Sequence, residues 1–302
     1  MAISRCAGTT LRQHRRHASA IAAAATPAGA SRWALMQMTD ASLPTGGFAH
    51  SAGLEAAWQQ GRVANTQQLL GFVNAAVSQA AHAGVPFVAA ARDTASGIMT
   101  ALPTAQGAAL RTWADVDARY HALTCGNATA ARASKLQGAA LLRVAEPLLA
   151  DALPKDSPAD GNGGEGGHGR PSTAAARSAV VQLQEALRFS APSPSLGGAT
   201  VQGHHAPVFG LIGGMLQMPA DVLAEAYLFT MSRDLISAAV RLGIVGPMHG
   251  VALQRQLMPL VGSLLEEVDA LGIDEYSAAQ TAPLIELLQG NHNMLYSRLF
   301  QS

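Results

Sequence analysis

Residues 66–82 read TQQLLGFVNAAVSQAAH, and the class of the fold turns on this stretch. Leu69, Phe72, Val73, Ala76, Val77 and Ala80 recur at three- and four-residue spacing, the stripe of a helix that faces a core. Asn65 just ahead is a suitable N-cap, Gly84 ends the helix, and Pro86 can open a second one in its first turn. Outward from there the same period returns. Leu110, Trp113, Val116, Tyr120 and Leu123 mark a helix over 105–124, and 127–150 predicts another, bent or interrupted at Pro147. Val180, Leu183 and Leu187 mark one over 173–188, and further helices are expected near 207–217, 220–243, 247–268 and 277–298. No alternating strand pattern competes, and aromatic and β-branched residues are sparse beside Ala, Leu, Gln and Met. The expected fold is all-α, a single-domain multi-helix bundle spanning 31–302.

Two regions stand outside this pattern. Residues 1–30 hold Arg5, Arg12, Arg15 and Arg16 with no acidic residue, which reads as a disordered tail or an organellar transit peptide. Residues 151–172 and 190–203, rich in Pro, Gly and Ser, read as flexible loops flanking the 173–188 helix, because such composition buries too little apolar surface to offset ordering entropy.

Composition excludes several functions. The 302 residues are 49% hydrophobic, enough for a sizeable core, and only 13% charged, about half the usual share. Lys+Arg and Asp+Glu number 20 each, so no net field draws nucleic acid or an anionic membrane. Cys6 and Cys125 form no CxxC pattern, which fits a reducing, cytoplasmic setting with organellar import as the variant the N-terminus suggests. No run of about 18 apolar residues is present to cross a membrane. GNGGEG at 161–166 matches GxGxxG in letters alone, since Pro and Asp rather than a strand precede it. There is no GxxxxGK[ST] and no HExxH. His204-His205 reads as a loop-to-helix pair bonding backbone rather than a metal site, so neither cofactor nor metal ligands are expected.

The richest segment is 34–62, ALMQMTDASLPTGGFAHSAGLEAAWQQGR. Pro44 presets a turn, Gly46 and Gly47 permit positive φ and close approach, and Phe48 is then held in the core or on a contact surface. A helix is expected from Ser51, with Leu54, Ala57 and Trp58 on one face, Glu55 in its first turns and Gly61 as its stop. Asp40, His50 and Ser51 spell a triad's letters, but His50 and Ser51 are neighbours and no nucleophile elbow accompanies them.

DASLPTGGFAHSAGLE, residues 40–55, resembles the signature of the urease accessory protein F family through Asp40, Pro44, Gly46, Phe48, His50, Ser51, Gly53, Leu54 and Glu55. Three more islands agree in order: Arg132, Ser134, Gln137 and Gly138; His205 to Gly210; and the tail Leu295-Tyr-Ser-Arg-Leu-Phe-Gln-Ser302. The first 30 residues and the length of the glycine-rich insert depart from the pattern. So does Arg241 to Gly250, which lacks a Gly-Gln pair common in bacterial members.

The resemblance implies a non-catalytic helical homodimer. It would bridge the H/D accessory protein, which binds apo-urease, and the nickel-carrying GTPase G, with nickel as cargo. It further implies partner contacts from the tail, above all Tyr296, Arg298, Leu299, Phe300 and Ser302. The turn residues Pro44, Gly46, Phe48, His50, Ser51 and Glu55, and Arg241 on the 220–243 helix, are the other candidates. A direct nickel-binding metallochaperone is the alternative.

Overall fold

The computed structural model describes residues 27–150, 152–153, 172–189 and 191–302. The expectations for residues 1–26 and for the glycine-rich cluster at 161–169 lie outside them. In chain order the helices are α1 (Pro27–Met38), α2 (Leu54–Gln59), α3 (Thr66–Ala83), α4 (Val85–Thr100), α5 (Gln106–Thr124), α6 (Ala128–Ala150) and α7 (Thr173–Phe189). Then follow α8 (His205–Met215), α9 (Ala220–Arg241), α10 (Pro247–Gln256), α11 (Met258–Ala270) and α12 (Pro283–Asn291). No strand occurs among the described residues; the one extended pairing is an isolated bridge between Ser193 and Ala199. The all-α expectation holds.

The core forms around α8. All but one of its residues are buried, consistent with a helix apolar on every side lying inside the bundle. Helices α4, α5, α6 and α9 surround it. Glycines set how closely they come: a Cβ on Gly210 would stand 2.2 Å from the Val88 carbonyl oxygen, and one on Gly214 2.4 Å from that of Arg92. On the other side α6 crosses the entry to α8 at Gly138, where a Cβ would meet the Gly203 carbonyl oxygen at 2.1 Å.

Local chemistry explains the boundaries. Asn65 Oδ1 accepts the Gln68 amide at 3.0 Å while Gln68 Oε1 accepts the Ala64 amide at 2.8 Å, a reciprocal cap for α3. Helix α6 runs unbroken through Pro147, where a bend or interruption was expected. The stretch 247–268 divides into α10 and α11 at Leu257, because Pro259 has no amide to continue the first helix. The 277–298 segment shrinks to α12 and a 3₁₀ turn at His292–Met294, since Pro283 fits a first helical turn. Helix α2 starts at Leu54 rather than Ser51, because Ala52 (φ 49°) and Gly53 (φ 88°) are left-handed. In residues 191–203, Leu196 and Val201 are buried in the core.

Substituting Gly138→Ala should lower stability by about 1–3 kcal/mol, because the methyl group has only backbone to push against. Gly262→Ala, inside α11 with open space at its Cβ, should raise it by about 0.5–1 kcal/mol. Urea unfolding of both variants checks the pair, and equal effects would contradict the packing at α6.

Candidate functional site: the signature turn and its tail

The turn of residues 40–53 is built on α9. Asp40 Oδ1 accepts from the Ser42 amide and hydroxyl, each at 2.7 Å, and these bonds hold its carboxyl below the usual range. Gly46 takes φ 77°. A Cβ on Gly47 would lie 2.2 Å from Asp234 Oδ2, so only glycine lets the turn sit on that carboxylate. Arg233 binds both Asp234 and the Thr39 carbonyl, tying the turn to the helix. Burial pushes the Asp234 carboxyl up, against the pull of Arg233. At the far end Gly53 is doubly required: its φ is positive, and a Cβ would meet the Gln289 amide nitrogen of α12 at 3.0 Å.

Onto this turn folds the chain's tail, residues 295–302. The Ser51 amide donates to the Ser302 carbonyl at 2.6 Å and the Gln301 amide to the Ala49 carbonyl at 2.8 Å. His50 Nδ1 lies 2.6 Å from Ser302 Oγ, and Ser51 Oγ donates to the Ser302 carbonyl at 3.1 Å. The buried Glu55 takes the Leu299 amide on Oε1 at 2.6 Å and the Phe300 amide on Oε2 at 3.1 Å. His292 Nε2 reaches that same Oε2 at 3.0 Å. Gln59 Nε2 donates to the Ser297 carbonyl at 2.9 Å. Arg241 donates to the Phe48 carbonyl and stacks over the Phe300 ring, 4.3 Å from its centroid. A carboxylate accepting two backbone amides forms charge-assisted bonds, stronger than neutral ones.

Ten of the twelve residues singled out in the sequence thus meet in one place. His50, Ser51 and Glu55 hold the tail, Phe300 and Ser302 are the buried ends they hold, and Arg241 clamps turn to tail. Pro44, Gly46 and Phe48 shape the turn, with Phe48 exposed beneath Arg241. Leu299 is gripped through its amide while its side chain stays exposed. Tyr296 and Arg298 make none of these contacts and face solvent, Tyr296 completely. Trp58, placed on one face with Leu54 and Ala57 by spacing, is 41% exposed where those two are buried, because the six-residue helix turns only Leu54, Glu55, Ala56 and Ala57 inward. Asp40 is spent on Ser42, and both His50 and Ser51 on Ser302, so the three letters of a triad are not joined as one.

Behind the turn lies a cavity of about 140 Å³ whose polar walls include His50, Tyr120, Ser134, His205, Tyr227 and Ser302. Burial lowers His50 and His205 to about 4, assisted by Arg132 for the first and Arg233 for the second, so both imidazoles are neutral at neutral pH. Beside it Asp117, fully buried on α5, accepts the amides of Gln202, Gly203 and His204 at 2.7, 2.8 and 2.9 Å. Burial raises this carboxyl and the three amides oppose the rise. Ser134 Oγ accepts the His205 amide and lies 3.1 Å from His204 Nδ1. The histidine pair is therefore at the loop-to-helix junction as expected, but the His204 ring bonds side chains rather than backbone.

Asp117 and His292 escaped the sequence reading. The signal was present: Asp117 falls four residues after Trp113 and three before Tyr120, and His292 four after Leu288, each on a core stripe. A polar residue there requires a buried partner. Among the described residues no three of His, Cys, Asp and Glu gather around a common point, and no helix is long and apolar enough to cross a membrane.

The model of the family described as UreF matches residues 63–258. Urease accessory protein F of Oryza sativa subsp. indica is 34% identical over 270 residues, 89% of this chain and 85% of the relative. The protein of the same name from Arabidopsis thaliana is 33% identical over 271 residues, 90% and 92% of the two chains. Urease accessory protein UreF of Arthrobacter sp. is 25% identical over 282 residues, 91% and 99%.

Two outcomes follow from this geometry. Glu55→Ala leaves two tail amides and His292 without their acceptor, so stability should fall by about 3 kcal/mol and the amides of 299 and 300 should exchange with solvent much faster. Hydrogen exchange with unchanged protection there would break the assignment. Separately, His50, His204 and His205 bind protons less readily in the fold than at their ordinary 6.5. The unfolded chain therefore gains protons first as pH falls, and stability present above about 6.5 is lost towards pH 4. Urea midpoints between pH 7 and pH 5 should drop, and drop less in His50→Asn.

Proposed function

The chain belongs to the UreF family of urease accessory proteins, and we propose that it works without catalysis of its own, as a dimeric scaffold joining the H/D accessory protein to the nickel-carrying GTPase. Membership by itself assigns it a role in urease maturation. The finer reading is supported above all by the latched tail. Residues 295–302 spend their backbone on the signature turn, whereas Tyr296 and Leu299 keep their side chains in solvent; Met294, just before them, and Trp58, next to the Gln59 that bonds Ser297, are exposed too. Apolar and aromatic side chains held by a fixed backbone lose little entropy on docking, and such groups contribute disproportionately to binding.

On this reading the turn and Glu55 act indirectly, by fixing the tail that meets the H/D protein. Arg241, a partner-contact candidate from the sequence, contributes on this reading by clamping the tail. The cavity next to the turn is walled mainly by apolar atoms, and its neutral imidazoles and hydroxyls supply the donors that a passing divalent cargo such as nickel would need. Whether GTP hydrolysis is tuned by contact with this chain belongs to the same proposal.

Co-purification with the H/D protein and the GTPase, sized by light scattering with and without GTP, tests it. Two copies of this chain in a stable assembly are expected. Tyr296→Ala with Leu299→Ala should weaken capture of the H/D protein at least tenfold without loss of helicity. A chain that stays alone in the presence of both partners would overturn the scaffold reading.

A further inference from the structure

At the end of α5, His121 is partly exposed, and its Nδ1 lies 3.1 Å from Nε2 of the wholly buried His204. His204 Nδ1 lies in turn 3.1 Å from Ser134 Oγ on α6. The Tyr120 phenol bonds both Ser134 and Tyr227, a buried residue of α9. Ser134, Tyr120 and Tyr227 line the cavity behind the signature turn, whereas His121 and His204 stand outside it. These side chains form one line of hydrogen bonds from the surface through the cavity wall. We infer that the line is a proton relay between solvent and the cavity, and that it sets the polarity Tyr227 presents there.

Every member can both give and accept a hydrogen, which a relay requires. In one arrangement His121 Nδ1 donates to His204, His204 Nδ1 to Ser134, Ser134 to Tyr120, and Tyr120 to Tyr227. The Tyr227 hydroxyl hydrogen is then free for the cavity. A proton taken up on His121 Nε2 shifts each hydrogen one place along, and Tyr227 releases one proton inward. Every residue is neutral again, but each bond runs the other way. Tyr227 now donates to Tyr120 and keeps only lone pairs for the cavity. A proton leaving the cavity by the same route restores the first arrangement.

The surroundings suit passage rather than storage. Burial lowers His121, with Lys135 adding to the effect, and burial lowers His204 to about 3, assisted by His121 and Lys135. Neither ring therefore holds the proton at neutral pH. The Lys135 ammonium is itself kept 3.3 Å from Gln202 Oε1. Asp117 reaches His204 through its amide at 2.9 Å and leaves the ring to Ser134 and His121. Gly84 makes room for the last member, since a Cβ there would stand 2.8 Å from the Tyr227 phenolic oxygen.

The relay can be read on the isolated full chain, so it stands or falls apart from the scaffold reading. Tyrosine isotope-labelled at Cζ, in equal parts of light and heavy water, reports hydroxyl exchange through the splitting of its carbon NMR signal. His121→Gln can still bond His204 but cannot pass a proton through its amide, so Tyr227 hydroxyl exchange should slow by roughly tenfold or more. Ser134→Ala should slow it as well, although the His205 amide loses its acceptor. The Trp113 indole hydrogen, bonded to the Pro207 carbonyl at 3.0 Å and off the line, should exchange as before in His121→Gln. A network with only a structural role predicts the opposite sign, because a lost link loosens the core and speeds exchange. Unchanged or faster Tyr227 exchange in His121→Gln would overturn the relay, and so would an equal slowing at Trp113. Should Ser134→Ala fail to fold, His121→Gln decides alone.

Discussion

A helix that is apolar all round can exist only where other helices enclose it, and α8 imposes that constraint on the whole fold. Burying it leaves the amides at its entry, those of residues 202 to 205, out of reach of water. An unpaired buried amide costs about as much as a lost hydrogen bond. Asp117 and Ser134 answer this by accepting all four. Their helices, α5 and α6, are thereby set beside α8, and Gly138 lets α6 come close enough for Ser134 to reach. Placement of the central helix and satisfaction of its amides are one problem with one solution.

The tail site solves a similar problem across the cavity that His50 and Ser302 line together with Ser134 and His205. Glu55 is buried on a helix too short to dispose of it, and its two oxygens collect tail amides and His292. The glycines of the signature serve the same assembly by removing side chains that would hit Asp234 and α12. Both buried carboxylates thus organise loop backbone rather than pair with Lys or Arg. A chain with only 13% charged residues employs two of its carboxylates in this manner. The product is an ordered terminal segment with exposed side chains, which is what makes a docking role for residues 295–302 physically reasonable.

The helical class was legible because the core stripes on α3, α5 and α7 are local patterns of spacing, and caps such as Asn65 act within one turn. Local reasoning failed where the deciding partner lay elsewhere. Pro147 does not interrupt α6, although a break there was one of the two outcomes its neighbours in sequence allowed. Trp58 was grouped on one face with Leu54 and Ala57 by period alone, but a helix of six residues has too few turns for the period to bind. His204 was read as a backbone-bonding residue because Ser134 and His121 are far from it in the chain.

By itself, the sequence determined that this chain is an all-α bundle, that residues 40–55 form a glycine-dependent turn into a helix, and that its islands of similarity belong to one family. These depend on spacing and residue type, which are properties of neighbours. Only the tertiary structure decided that the turn and the tail, some 250 residues apart in the chain, are one site. It alone gave Arg241 to that site and paired His121 with His204. Such pairings arise from burial, where a polar group must find whatever partner the packing brings to it, and no local pattern encodes that choice.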